Sequence, residues 1–315
     1  MTASVLSSEP TVHKQDLSCA SGDVAAAMIR SLYCGLRPGE KRVSVFVAYS
    51  DEASAGGNAT DEFLVAGYVA REDEWPCFAK AWQERALDES SDGPKIQCFH
   101  MTQMRSRAWR ELHGLSDTSA RRRTEEALRT IHGSGFVLPV ASAINQTELR
   151  EIIQDKFKNA GKKVPAGLDE PDYFCHLAFC YIALQDIAER FPDAEKVNFY
   201  FAKKRNKISA NLITIAEHTR KWLERERPSL APLMGSAIPA EPELFLPLQA
   251  ADVICWYLQR YHTDYRKGKR FDYEFSDHLM VVIKEKFERL QLWTRESLES
   301  MAHGLDKINW DEENA

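Results

Sequence analysis

Two acids in this chain stand where acids are costly. Asp51 follows RVSVFVAYS (42–50), a β-branched and aromatic run that reads as a strand, and Glu52 comes next, just before the glycine-bearing loop ASAGGNAT (53–60). Alternation along the strand puts Val43, Val45, Val47, Tyr49 and Asp51 on one face and Ser44, Phe46, Ala48, Ser50 and Glu52 on the other. An acid that extends the more apolar face loses hydration and needs a cation, a hydrogen-bond donor or a metal. The alternative is a cap on the following turn. Asp252 is the second anomaly, set in LQAADVICWYLQ among apolar or small neighbours, with Gln249 three residues earlier on the same helical face. Its plainer alternative is a structural hydrogen bond to a neighbouring loop.

A strand-end acid and a late-helix acid together are what a divalent-metal site needs. Mg²⁺ or Mn²⁺ takes hard oxygen ligands, and carboxylates from separate elements leave positions open for water and phosphate. Metals held in this way stabilise the nucleophile and the leaving oxygen of phosphodiester hydrolysis. His100, in KIQCFHM (95–101), sits at an expected strand end, where a hydrogen-bonded structural role is the plain reading of the residue itself. No His-Glu-x-x-His, Cys/His cluster, Gly-x-Ser-x-Gly elbow or phosphate-cradling glycine loop occurs in the sequence, which argues against dedicated zinc, serine-nucleophile and nucleotide-triphosphatase chemistry. Basic residues gather in ARRR (120–123), KKRNK (203–207) and YRKGKR (265–270). Lys203, Lys204, Arg205 and Lys207 follow a strand that should approach the acids, so they are candidates to hold phosphates; the alternative is a solvated surface.

The elements that must position these residues form a mixed pattern. A hairpin is expected from 42–50 and EFLVAGYVA (62–70), then a helix near Glu72 to Leu87, a short strand at 95–101, a helix from Thr118 to Ile131 and a strand at 136–144. Two helical segments follow, the second over 171–191 with Pro171 at its start; then come a strand at 195–201, an amphipathic helix from Ser209 to Arg225 and an apolar helix from Leu246 to Tyr261. This order implies an α/β fold, a mixed sheet flanked by helices. Residues 1–40 read as an N-terminal arm, 41–270 as one domain and 271–315 as a helical extension packed on it.

Composition sets outer limits. With 47 Asp+Glu against 41 Lys+Arg the net charge is −6, so a polyanion partner would have to be held locally, by basic patches or metal. No apolar stretch is long enough to span a membrane, and MTASVLSSEPTVHK lacks the features of a secretory signal, which makes the cytoplasm the expected compartment. The seven cysteines are scattered, without a Cys-x-x-Cys pair, and read as free thiols.

The wording YSDEAS (49–54), FLVAGYVAREDEWPCFAKAW (63–82), CFHMTQM (98–104) and PLQAADVICWYL (247–258) resembles the bacterial and phage family called domain of unknown function 3800. The resemblance covers about residues 43 to 262. It implies a ribonuclease H-like fold with added helices, Mg²⁺ or Mn²⁺ held by Asp51 and Asp252, and Asp51, Glu52, Gln249, Asp252 and His100 as site residues. It also implies a nuclease or nucleic-acid-processing role in mobile-element or phage-defence biology, with nucleic acid as partner and room for a homodimer or protein partner. One position departs from the pattern: after VNFYF, where relatives carry an acid, the chain reads Phe201, Ala202, Lys203, with Glu195 or Glu217 as substitutes. The competing expectation is therefore a catalytically degenerate fold that binds nucleic acid or protein. A small-molecule phosphohydrolase using the same acids is a third.

Overall fold

In the computed structural model, which describes residues 44–54, 61–88, 93–135, 138–164, 168–203, 210–266 and 290–305, the first apolar run becomes the strand around which the sheet is built. β1 (Ser44–Ser54) pairs antiparallel with β2 (Glu62–Arg71), and β2 antiparallel with β3 (Leu138–Asn145). On its other side β1 runs parallel to β4 (Ala194–Ala202), and β4 parallel to β5 (Met234–Ala240). A short strand, β6 (Leu290–Trp293), joins β3 in parallel, so the order is β5-β4-β1-β2-β3-β6. The architecture is α/β, a mixed sheet with helices on both faces. Every described residue falls in one unit, Gly39–Ala315. The arm expected over 1–40 lies outside the described residues, and the expected extension contributes β6 as well as a helix.

The pleat divides the core into two layers. On β1 and β2, Val47, Tyr49, Leu64, Ala66 and Tyr68 face one cluster, while Phe46, Ala48, Phe63, Val65 and Val69 face the other. Burial on both faces explains why these strands read as continuous apolar runs. The first layer is closed by α1 (Trp75–Trp82), α2 (Met101–Arg105), α3 (Arg107–Leu112), α4 (Asp117–Gly133) and α8 (Leu246–Arg266). The second is closed by α5 (Gln146–Asn159), α6 (Pro171–Arg190), α7 (Ala210–Glu226) and α9 (Arg295–Leu305). Local signals set several boundaries: Ser116 caps α4 by accepting from Ser119 N, Asn145 caps α5 by accepting from Glu148 N, and Pro171 opens α6. Among the described residues, no helix is long and apolar enough to cross a membrane.

Three departures from expectation have physical causes. The strand expected at 95–101 does not join the sheet, because the Phe99 and Met101 amides are taken by side chains of α8 rather than by a neighbouring strand. β5, MGSAIPA, has low strand propensity and was not anticipated; as an edge strand it tolerates Pro239, and Gly235 lets it close over Asn198, whose Oδ1 would lie 2.3 Å from an added Cβ. β6 is too short to stand out as a strand. Cys98, Cys175, Cys180 and Cys255 are free thiols as expected, whereas Cys77 is disulfide-bonded.

Gly67 bears directly on the strand that carries Asp51. It pairs with Ser50, and a Cβ there would sit 1.9 Å from the Tyr49 carbonyl oxygen, a backbone atom that cannot turn away. Gly67→Ala is expected to lower stability by about 3 kcal/mol through forced separation of β1 and β2, measured by urea unfolding.

Candidate functional site

Because β1, β4 and β5 are parallel, their carboxyl ends meet at one edge of the sheet. Pairing of β1 with β4 stops at Ser50 and Phe201, whereas pairing with β2 runs on to Ser54, so Asp51 stands where the strands part. β1 is also where the sheet changes sense. Crevices at the carboxyl ends of strands beside such a switch are the common ligand sites of α/β folds.

α8 closes this crevice by lying across β1 and β2. Ala250 and Ala251 are fully buried and let the helix approach closely, and the Cys255 thiol lies 3.0 Å from the Asp51 carbonyl and 3.4 Å from that of Ala66, the paired residue on β2. The helix then gathers the loop before α2. Gln249 Oε1 accepts from Trp82 Nε1 and from Phe99 N, both at 3.0 Å, and its Nε2 donates to Pro242 O at 2.9 Å. One turn later Asp252 Oδ2 accepts from Met101 N at 2.7 Å. Two amides spaced two residues apart in an extended segment thus meet two acceptors spaced three apart on a helix. The Phe99 and Met101 side chains go into the core, and His100, at φ −139° and ψ 123°, turns outward.

His100 Nδ1 lies 3.4 Å from Asp252 Oδ1, with 47% of the imidazole side chain exposed against 15% of the carboxylate. The ring is thus the more open of the two groups, and the carboxylate behind it keeps a smaller exposed part. Burial pushes the Asp252 carboxyl up to about 7, opposed only in part by the Met101 N–H. Burial also lowers the His100 imidazole, against the pull of the Asp51 and Glu243 charges. Asp51, Asp252 and Glu243 thus surround one histidine. Glu243 escaped the sequence reading; its only signal was an acid in the turn EPELF immediately before α8.

Other expected site residues are placed differently. The pleat sends Glu52 to the face opposite Asp51, and its charge bears on the buried Cys175 thiol of α6 as well as on the Cys255 thiol of α8. Gln249 is on the expected helical face, but its amide is committed to Trp82, Phe99 and Pro242, which makes it a structural clamp. Ala202 pairs with Ala240 and packs on the α8 layer, and no acid takes its place on β4. Glu195 sits at the far end of β4, beside the Lys196 and Val45 pair, and Glu217 is exposed on α7 in the other layer. Lys203 is held by an ion pair to Glu241 at 2.9 Å. Lys204, Arg205 and Lys207 lie outside the described residues.

Among the described residues, no group of three or more His, Cys, Asp or Glu side chains is arranged to hold a metal ion. Asp51 and Asp252 both bear electrostatically on the Cys255 thiol and His100 lies 3.4 Å from Asp252; carboxylates are the ligand type that Mg²⁺ or Mn²⁺ takes, one or two of them with water and phosphate completing the shell.

Two stability measurements separate clamp from site. Gln249→Met keeps volume but strands three buried partners, and a loss of about 3 kcal/mol is expected in urea unfolding. Asp252 behaves oppositely. A carboxyl whose pKa is raised on folding contributes stability at low pH that is lost as pH rises from about 4 towards 7. Asp252→Asn keeps an acceptor for Met101 N and removes the charge, so without divalent cations it should raise the melting temperature at pH 8 and change it little at pH 4; a lower melting temperature at pH 8 refutes the assigned cost. Comparison with protein-family models and with curated proteins finds no match to this chain.

Proposed function

We propose that the chain is a divalent-metal-dependent phosphodiester hydrolase of ribonuclease H-like type, akin to domain of unknown function 3800, acting on nucleic acid in the cytoplasm. The observation that carries this reading is the largely buried carboxylate of Asp252 beside the half-exposed His100, at the end of the sheet where Asp51 follows the last β1–β4 pair. The mixed α/β sheet, with the first strand at its centre and the late helix α8 laid across β1 and β2, is consistent with it.

Asp51 and Asp252 would hold Mg²⁺ or Mn²⁺. When bound, such an ion polarises a phosphoryl oxygen and makes a coordinated water more acidic. Asp252 also orients His100 through Nδ1, which leaves the remaining ring nitrogen to take a proton from the attacking water or return one to the leaving oxygen. Glu243 adds negative potential at that ring and favours its protonated form. Gln249 positions the loop that carries His100 without touching the substrate.

The second reading, a degenerate fold that binds without cleaving, is favoured by Ala202 in the middle-acid position and by the Lys203 to Glu241 pair, which leaves that lysine engaged. The two readings part on one experiment. With Mn²⁺, labelled DNA and RNA should be cleaved by the native chain, and Asp51→Asn and Asp252→Asn should each abolish both cleavage and the Mn²⁺-induced rise in melting temperature. Cleavage that survives either substitution refutes the hydrolytic site, and a native chain that neither binds Mn²⁺ nor cleaves upholds the degenerate reading.

A further inference from the structure

We propose that the crevice continues along α8 and α2 as a binding track for single-stranded nucleic acid, with Trp256, Arg105 and Arg260 as its first station beyond Asp252; this rests on the reading of Asp51 and Asp252 as a phosphodiester site. Asp252, Trp256 and Arg260 succeed one another at intervals of four residues on α8, which places them on one face and about 6 Å apart per step. Arg105 closes α2, the short helix that begins directly after His100. The helix face that carries the acid and the helix that follows the histidine thus bring their next side chains to the same place.

The contact made there is specific. The Arg105 and Arg260 guanidinium carbons lie 5.6 and 5.4 Å from the centre of the Trp256 ring. An exposed arginine ordinarily samples many rotamers. Two held against one indole present their N–H donors with less freedom to lose, and so suit bidentate contact with phosphate. Arg105 also lines a cleft of about 410 Å³ between α2 and α4, together with Arg110, Arg121, Asp117 and Thr118. Arg110 pairs with Asp117 and donates to Met104 O at 2.8 Å, so the cleft walls carry three arginines against one acid. Arg105 is shared between this cleft and the Trp256 contact, on a chain whose net charge is −6.

A ligand that uses both features has regularly spaced phosphates and flat apolar faces. An unpaired polynucleotide offers both, because a base can stack on the guanidinium and indole group while its phosphates meet the exposed Arg105. A duplex hides its base faces and offers phosphates alone.

The test is fluorescence anisotropy in EDTA, where hydrolysis is silent, with labelled single strands of about 12 nucleotides and the matching duplex. Single strands, of either sugar, should bind at least about tenfold tighter than duplex, with quenching of tryptophan emission. Trp256→Leu should weaken binding about 10- to 100-fold and Trp256→Phe much less. Arg105→Gln should lower the slope of log affinity against log salt by about one. Arg105 is exposed, so this variant tests the track even where Trp256→Leu fails to fold. Duplex bound as tightly as single strands, or Arg105→Gln indistinguishable from the native chain, overturns the track. Strand binding with these dependences but no Mn²⁺-dependent cleavage upholds the track and refutes the hydrolytic site. Mn²⁺-dependent hydrolysis of bis-p-nitrophenyl phosphate by a native chain that binds no strand does the reverse.

Discussion

The site depends on a pair of hydrogen bonds that replace sheet pairing. Phe99 N and Met101 N would be orphaned in a buried extended segment, and each such group costs about 1–3 kcal/mol when left unsatisfied. Gln249 and Asp252 accept them from one face of α8. Everything at the site follows from that stitch. The loop is pinned to the helix, Phe99 and Met101 are driven into the core, and the residue between them is turned towards the crevice. Gln249 extends the same constraint to α1 through Trp82 and to the β5–α8 turn through Pro242, so the turn that brings in Glu243 is held by the same amide.

The two acceptors differ in consequence. Gln249 is neutral and fully satisfied, so its burial adds stability at every pH. Asp252 does the same hydrogen-bonding work with a charge, and that charge is destabilising in a dry layer as soon as it ionises. An asparagine would serve the loop equally well. A carboxylate stands where an amide would suffice for the loop, next to an imidazole and on the Asp51 side of the sheet. The same geometry separates Asp51 from Glu52, adjacent in sequence yet turned to opposite faces by a pleat with a period of two.

Much of the frame was legible from periodicity. The β1–β2 hairpin, the buried helix from Pro171, the apolar helix over Gln249 to Trp256 and the opposite facing of Asp51 and Glu52 all follow from side-chain spacing. The strand expected at Lys95 to Met101 failed because period and propensity describe an extended chain without saying which partner takes its amides. β5 was missed for the converse reason: Met234 to Ala240 has little strand propensity, and pairing with β4 imposes the conformation.

By itself the sequence determined which acids were anomalous, since an isolated carboxylate in an apolar helix or strand is visible as a break in pattern. Only the tertiary structure decided what each anomaly does. It made Gln249, expected at the site itself, a clamp on the loop before α2, turned Glu52 to the face opposite Asp51, left Ala202 without a substituting acid on β4, and brought Glu243 towards His100 and Arg105 onto Trp256. The physical reason is range. Period and propensity act over a few residues, whereas burial, hydrogen-bond partners and electrostatic neighbours are set by segments about 150 residues apart, as Met101 and Asp252 are.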